Sequence, residues 1–495
     1  MELVGASIFL LVGCLTLLMI GTVQKRRKQG IGKLPPGPIG LPFLGNILQL
    51  NSKDIFLSLN KLSEKYGSVF TIHMGSEPVV VLRGYDVVKE ALNERGEDFA
   101  GRGSLPMLDR VTRGHGVIGS NGARWKQLRR FSLMTLRNFG MGKRSIEERI
   151  QEEAQFLVEA LRKTEELPFD PTYFFSRSVS NVICSVVFGG RFDYEDKNFL
   201  ILLSLINDFF RIFSTGWVQL YNFFPNVMEY LPGLHKKAVK EGAQMMAFAA
   251  DRVKKHQETL DPNSPRDFID CFLIKMEKDK ENPQSEFSTK ALVTTTFDLL
   301  TAGTETVSTT LRYGFLILLK HPEIEAKIHE EIDRVIGQNR CPSIEDKNAM
   351  PYTEAVIHEI QRFIDIIPLA VPHAVTRDIK FREYVIPKGT IVYPMLSSVL
   401  SDPKLFPNPE SFDPNHFLDA NGCFKRNDAF MPFSAGRRIC IGEGLARMEI
   451  FLFIITILQN FDLKSVVDLK EIDLSPEMSG ITRVPHHYKL CLVPR

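Results

Sequence analysis

The sequence predicts a mainly α fold with a minor β component (α+β), carried behind an N-terminal transmembrane helix. Three observations lead there. Between residues 86 and 336 the apolar positions follow helical spacing almost without a break. Short alternating runs that read as strands lie on either side of that stretch. Residues 3–23 form an apolar run without a charge, long enough to cross a bilayer as a helix.

At 495 residues, 44% of them hydrophobic, the chain can bury a large core. No long Ser/Gly-rich or charged linker follows residue 50, so 47–495 reads as a single domain. Ahead of it are a membrane anchor at 1–24 and a basic stop-transfer and proline-rich hinge at 25–46. A net charge of +2 argues against a nucleic-acid partner. The seven cysteines are odd in number and follow no pattern, which implies a reducing compartment and no disulfide framework. No CxxC or Cys/His cluster offers a zinc site.

Each element has a local reason. Lys25-Arg26-Arg27-Lys28 follows the apolar run at once, which keeps the body on the cytosolic side and the N-terminus in the lumen. A cleaved signal peptide would carry its positive charge ahead of the run, where Glu2 is the only charge. Leu34-Pro35-Pro36-Gly37-Pro38 is a stiff, non-helical spacer. A helix is expected at 54–66, then a hairpin of 68–73 and 78–82 about Gly75. Long amphipathic helices follow at 123–137, 144–163, 171–187, 197–213, 236–258, 288–320 and 322–336. Strand signals return after 366, most clearly at 384–386 and 390–393. The connection 207–232 is rich in aromatic residues, among them Phe209, Phe213, Trp217 and Tyr221. Core packing explains it, and so does a second membrane contact at a substrate entrance.

Four patterns carry chemistry. Phe433–Gly442, FSAGRRICIG, places one cysteine, Cys440, between a basic, glycine-containing loop and a helix expected from 441 to 458. Free N–H groups at a helix start, with Arg437 and Arg438 nearby, are expected to lower the thiol pKa and favour the metal-binding thiolate. Ser288 is a good N-cap for about nine turns that end before Pro322. In the middle lies Ala302-Gly303-Thr304-Glu305-Thr306. A mid-helix glycine, and a Thr306 hydroxyl bonded back to the Ala302 carbonyl, are expected to open the helix locally and leave room for oxygen and water. Glu305 beside a hydroxyl makes a proton-delivery pair. Trp125 and Arg129 share a helix face, and an indole N–H and a guanidinium can both donate to carboxylates. Glu359 and Arg362 stand one turn apart on a helix at 353–363 and pair with each other. Taken singly, each of these has an ordinary structural explanation.

Taken together, and in this order, they resemble the cytochrome P-450 family, over essentially the whole chain. Phe433, Gly436, Arg438, Cys440 and Gly442 fit its signature F-x-x-G-x-R-x-C-x-G without a mismatch. Residues 302–306 fit A/G-G-x-D/E-T, 125–129 fit W-x-x-x-R, and 359–362 fit E-x-x-R. His416, in Phe412-Asp413-Pro414-Asn415-His416-Phe417, stands where many members carry Arg. That histidine is shared by the vertebrate microsomal family two.

The resemblance implies the triangular, mostly helical haem domain with small sheets, and heme b held through an axial Cys440 thiolate. Trp125, Arg129, Arg102, His373 and Arg438 are then propionate donors, and Phe433, Gly442 and Ala302 further cofactor contacts. Thr306 is expected to steady the oxygen being activated and Glu305 to feed protons. Glu359, Arg362 and His416 are structural. Substrate windows are 105–118, 209–213, 299–306, 366–371 and 480–482, with Leu300, Ala302, Ile367, Val371 and Ile481 as individual choices that core packing equally explains. Their apolar character implies a small lipophilic substrate.

The implied reaction is monooxygenation of xenobiotics, steroids or fatty acids. Its electrons come from NADPH through a flavoprotein reductase, NADPH-cytochrome reductase, with cytochrome b5 as an optional second donor. No Rossmann fingerprint for NADPH lies in this chain, so the donor is separate. Lys126, Arg130, Arg137, Lys143 and Arg144 form a basic stripe, which is either a solvated face or the docking surface for an acidic redox partner. The implied location is the endoplasmic reticulum membrane, with membrane lipid as a further partner. A haem-thiolate isomerase or peroxide-using enzyme, and a non-catalytic haem sensor or lipophile carrier, are the alternatives. Thr306 and Glu305 argue against both.

Overall fold

The computed structural model describes residues 34–51, 55–139 and 144–495. The apolar run 3–23, the basic cluster 25–28 and Lys143 lie outside the described residues. The chain divides into two compact units. Of the described residues, one unit comprises those up to 104 with 369–398 and 436–438; the other comprises those of 105–368, 399–435 and 439–495.

The first unit is built on a five-stranded sheet. Its order is Val69–Met74, Glu77–Arg83, Ile391–Met395, His373–Ala374 and Gly101–Arg102. The expected hairpin forms, with Thr71 opposite Val80 and Gly75 at φ +63° in its turn. The run Val79–Leu82 is wholly buried, as strands with a parallel neighbour usually are, and Glu77–Arg83 pairs in parallel with Ile391–Met395. The two late strands expected close together part company. Ile391–Met395 joins this sheet, while Tyr384–Ile386 pairs with Ile379–Phe381.

The second unit is helical, and its spine is the helix Thr289–Lys320. Ser288 caps it by accepting from the Ala291 N–H at 3.2 Å. Residues from Ala291 to Leu319 are buried on nearly every face, the pattern of a helix with neighbours all round. Its neighbours are Thr172–Val187, Leu234–Thr259, Pro351–Ile364 and Glu443–Asn460. Two glycines let helices approach closely. A Cβ at Gly303 would lie 3.1 Å from Ile183 Cγ1, and one at Gly314 would lie 3.3 Å from Ile360 Cδ1.

This corrects one expectation. The helix is continuous through 302–306, so Gly303 does not open it; the glycine serves the contact with Thr172–Val187. Residues 207–232 are not an open connection either. They hold the end of Lys197–Phe213 and two short helices, Gly216–Phe223 and Pro225–Met228. Phe209, Phe213 and Tyr221 are buried, whereas Trp217, Val227 and Tyr230 are exposed. Among the described residues no single helix is long and apolar enough to cross a membrane. Lys197–Phe213 and Gly216–Phe223 pass that test only together, across a 68° bend.

Candidate active site

Cys440 lies just ahead of the helix Glu443–Asn460. Its own N–H donates to the Phe433 carbonyl at 3.0 Å, closing the loop that carries it. Burial pushes its thiol above the ordinary range. The backbone N–H of Gly442 and, more weakly, the Arg129 charge and the N–H of Glu443 pull the other way, while the Glu443 carboxylate adds to the rise. The expected depressed pKa is therefore corrected, because desolvation outweighs the helix start. Yet the residue retains exposed surface.

Such a thiol is poised to lose its proton to a cation bound at sulfur, since a metal supplies the charge that burial withholds. Two N–H donors and a guanidinium around one sulfur form a donor set that fits a thiolate ligand. A Cβ at Gly442 would touch Sγ at 3.8 Å, so glycine leaves that side of the sulfur clear. Arg129 donates to the carbonyl of Ile439, the residue before the cysteine, and lies 6.0 Å from the ring of the buried Trp125. Phe433 stacks under the Arg447 guanidinium at 5.0 Å.

On the long helix, Thr306 Oγ1 donates to the Ala302 carbonyl at 2.8 Å, as its sequence position implied. Glu305 is buried, and its Oε1 accepts from Thr309 Oγ1 at 3.0 Å. Oε2 has no hydrogen-bond partner among the described residues. Burial raises this carboxyl to about 7, against the weaker opposing effects of Arg312 and Thr309. Thr309 was not singled out from the sequence, although its i+4 spacing from Glu305 was the available signal.

In the first unit, Arg102 and His373 are direct cross-strand partners. Arg102 donates to the Val371 and Pro372 carbonyls at 2.7 and 3.0 Å, and Arg438 Nε donates to the Ala100 carbonyl at 2.8 Å. His373 Nδ1 faces the Phe99 carbonyl at 2.7 Å, and because a carbonyl only accepts, Nδ1 carries the proton. Burial, with the Arg102 and Arg438 charges, lowers this ring to about 3, so it is neutral and Nε2 presents a lone pair. To act as a donor through Nε2, as the expected role now requires, His373 must take a second proton from solvent, and a neighbouring anion would stabilise the charged ring. Gly436, at φ +71°, passes so close to the Leu92 carbonyl that a Cβ would overlap it. Arg437 turns away to pair with Glu97 at 3.0 Å.

The cytochrome P450 family matches residues 35–492 of this chain. The chain belongs to that family. It is 58% identical to cytochrome P450 2C20 of Macaca fascicularis over 98% of this chain and 99% of that one. It is 57% identical to cytochrome P450 2C8 of Homo sapiens over 98% and 99%. With cytochrome P450 2G1 of Oryctolagus cuniculus it shares 57% over the full length of both. It is a vertebrate family-two P450 and a haem-thiolate monooxygenase acting on small lipophilic substrates (xenobiotics, steroids or fatty acids), with electrons that originate in NADPH.

In this P450, Glu359 and Arg362 meet in a two-point ion pair on Pro351–Ile364. Arg362 also donates to the Leu400 and Pro409 carbonyls, each at 2.9 Å. His416 joins through Nδ1 to Glu359 Oε2 at 3.1 Å and through Nε2 to the Pro407 carbonyl at 2.7 Å. Of the individual substrate choices, Leu300 is wholly buried and Ala302, Ile367, Val371 and Ile481 are partly so. Residues in or beside three of the substrate windows meet within the second unit. Arg483 N–H donates to the Ile366 carbonyl at 3.0 Å, and Ser214 and Thr482 share a hydroxyl bond at 3.0 Å.

Proposed function

We propose that the Cys440 thiolate would hold the haem iron and that Arg102, Trp125, Arg129, His373 and Arg438 would serve the haem propionates. The observation that carries this reading is the donor set around the Cys440 sulfur. Held through that thiolate, a haem would supply the oxygen-activating chemistry that insertion needs. Glu305 holds a proton near neutral pH because its carboxyl is buried, and it offers that proton at Oε2. Thr306 keeps its hydroxyl hydrogen on the Ala302 carbonyl and turns it toward a ligand when one arrives. Leu300 and the apolar windows around Ile366 and Thr482 orient a lipophilic substrate and exclude water.

The finer biology follows the same reading. Residues 3–23 anchor the chain in the endoplasmic reticulum membrane, with the catalytic domain, 47–495, on the cytosolic face. NADPH-cytochrome reductase is the donor, with cytochrome b5 as a second one. Exposed Lys126, Arg130 and Arg137 suit an acidic partner surface, so reversing Arg130 weakens reductase coupling most at low salt. Exposed Trp217, Val227 and Tyr230 support a second contact with membrane lipid.

The deciding test is the absorption spectrum of the dithionite-reduced protein with carbon monoxide, beside Cys440→His. A strongly red-shifted Soret band seen only with Cys440 supports thiolate ligation. An ordinary haem–CO band in intact wild type removes Cys440 as the ligand and the reading with it.

A further inference from the structure

Glu443 opens the helix Glu443–Asn460 soon after Cys440. Its backbone N–H favours a charged sulfur, but its carboxylate works against one. An acid in the first turn suits the helix dipole, so the fold has its own reason to keep that charge there. Arg447, one turn on, answers it. Nε and one terminal nitrogen of its guanidinium each lie 3.0 Å from Glu443 Oε1.

Pairs at this spacing are common on helices and contribute little when both side chains move freely. This guanidinium is held. Its other terminal nitrogen donates to His358 Nε2 at 3.2 Å, and it stacks on Phe430 at 5.4 Å and on Phe433 at 5.0 Å. Those supports are themselves fixed. His358 is buried, its Nδ1 donates to the Glu354 carbonyl at 2.9 Å, and its ring lies 4.7 Å from that of Phe430. Burial and the Arg447 charge lower His358 to about 3, so it stays neutral and accepts at Nε2. Phe433, in turn, carries the carbonyl that accepts the Cys440 N–H at 3.0 Å. One guanidinium thus grips both flanks of the cysteine, the Phe433 ring before it and the Glu443 carboxylate after it.

We propose that Arg447 is a positioning residue for the Cys440 thiolate, clamping both flanks of its loop and cancelling the Glu443 charge, and that it thereby sets the reduction potential of the iron the loop would hold. The inference rests on Cys440 as the ligand. A negative charge left uncompensated beside the thiolate favours the more positive, oxidised iron, and an uncompensated positive charge favours the reduced one. Removing Arg447 therefore lowers the potential, removing the Glu443 charge raises it, and removing both charges restores most of the balance.

The test is an equilibrium redox titration of the full-length holoprotein with dithionite and mediator dyes, with no reductase present. At the wild-type midpoint, Arg447→Gln is expected to move the ferric-to-ferrous ratio about tenfold toward ferric, or about 59 mV for one electron. Glu443→Gln should move it about tenfold the other way, and the double variant should return to within about threefold of wild type. Glu443→Gln leaves His358 and both rings in place, so it reports on the charge even where Arg447→Gln fails to hold haem. Midpoints that do not move, or that move in the same direction in both single variants, overturn the proposal. A purely structural role, or one confined to docking a redox partner, gives that result. The carbon monoxide spectra separate the two readings. An ordinary haem–CO band in wild type defeats the proposed function and this inference together, whereas a red-shifted band with unmoved midpoints defeats this inference alone.

Discussion

Arg362 and Glu359 face each other through two hydrogen bonds of 2.7 Å, with side chains 1% and 0% exposed. A pair so buried is held by what surrounds it. Arg362 reaches the Leu400 and Pro409 carbonyls, and Glu359 accepts from the Asp413 N–H at 3.0 Å, so helix and following loops share one polar centre. Removing one partner leaves a buried charge uncompensated. Arg362→Met is expected to cost roughly 3–5 kcal/mol and to lose most holoprotein yield. Arg362→Lys loses the two-point geometry and should fall well short of rescue. Urea unfolding and haem content decide it; a variant as stable as wild type would show that the pair contributes nothing.

His416 makes that centre sensitive to pH. Burial alone would lower its pKa, but Glu359 and the Pro407 carbonyl together outweigh burial and raise it. A raised histidine contributes stability that is fully present below its ordinary pKa and is lost as pH climbs through the folded value. Wild type should therefore weaken on going from about pH 6 toward about pH 9 by a component that His416→Arg removes, because arginine stays charged throughout. Identical pH profiles for the two proteins would rule the linkage out.

Glu305 has the same sign for a different reason. Its carboxyl titrates near 7 rather than the ordinary 4.5, so the folded state binds the extra proton and stability falls as pH rises between those values. Above about pH 7 the buried carboxylate costs on the order of 3 kcal/mol. Glu305→Gln should gain stability relative to wild type as pH goes from about 5 to about 8, while turnover falls by about 100-fold. Denaturation at both pH values, with kcat beside it, checks the two halves separately. A stability gap that does not widen would mean the carboxyl is not held protonated.

Gly436 tests the loop that leads to the cysteine. At φ +71°, and with the Leu92 carbonyl where its Cβ would stand, alanine meets both backbone strain and overlap. Gly436→Ala is expected to cost at least about 2 kcal/mol and to lower the yield of red-shifted CO complex. Gly67, at φ +90° with open space beside it, is the control. Gly67→Ala carries the strain without the overlap and should lose less. Equal losses would show that strain alone is at work.

Much of this P450 is legible along the chain. The seven long helices appear within about two residues of their expected ends, a difference that boundary definitions alone produce. Each is written by its own apolar stripe. The Ser288 cap, the Thr306 bond to Ala302 and the Glu359–Arg362 pair are likewise interactions between residues no more than four apart. The Cys440 loop was found because a signature names its residues one by one. What the tertiary structure alone decided is the company these residues keep. The parallel pairing of Val79 with Ile391 joins opposite ends of the chain. Gly303 lies against Ile183, and Leu92 stands under Gly436. The protonation of Cys440, His373 and Glu305 departs from what flanking residues suggest, because desolvation sums over atoms from segments far apart in sequence. Hydrophobic periodicity and capping act within a turn or two and can be read locally, whereas burial exists only once distant segments have packed.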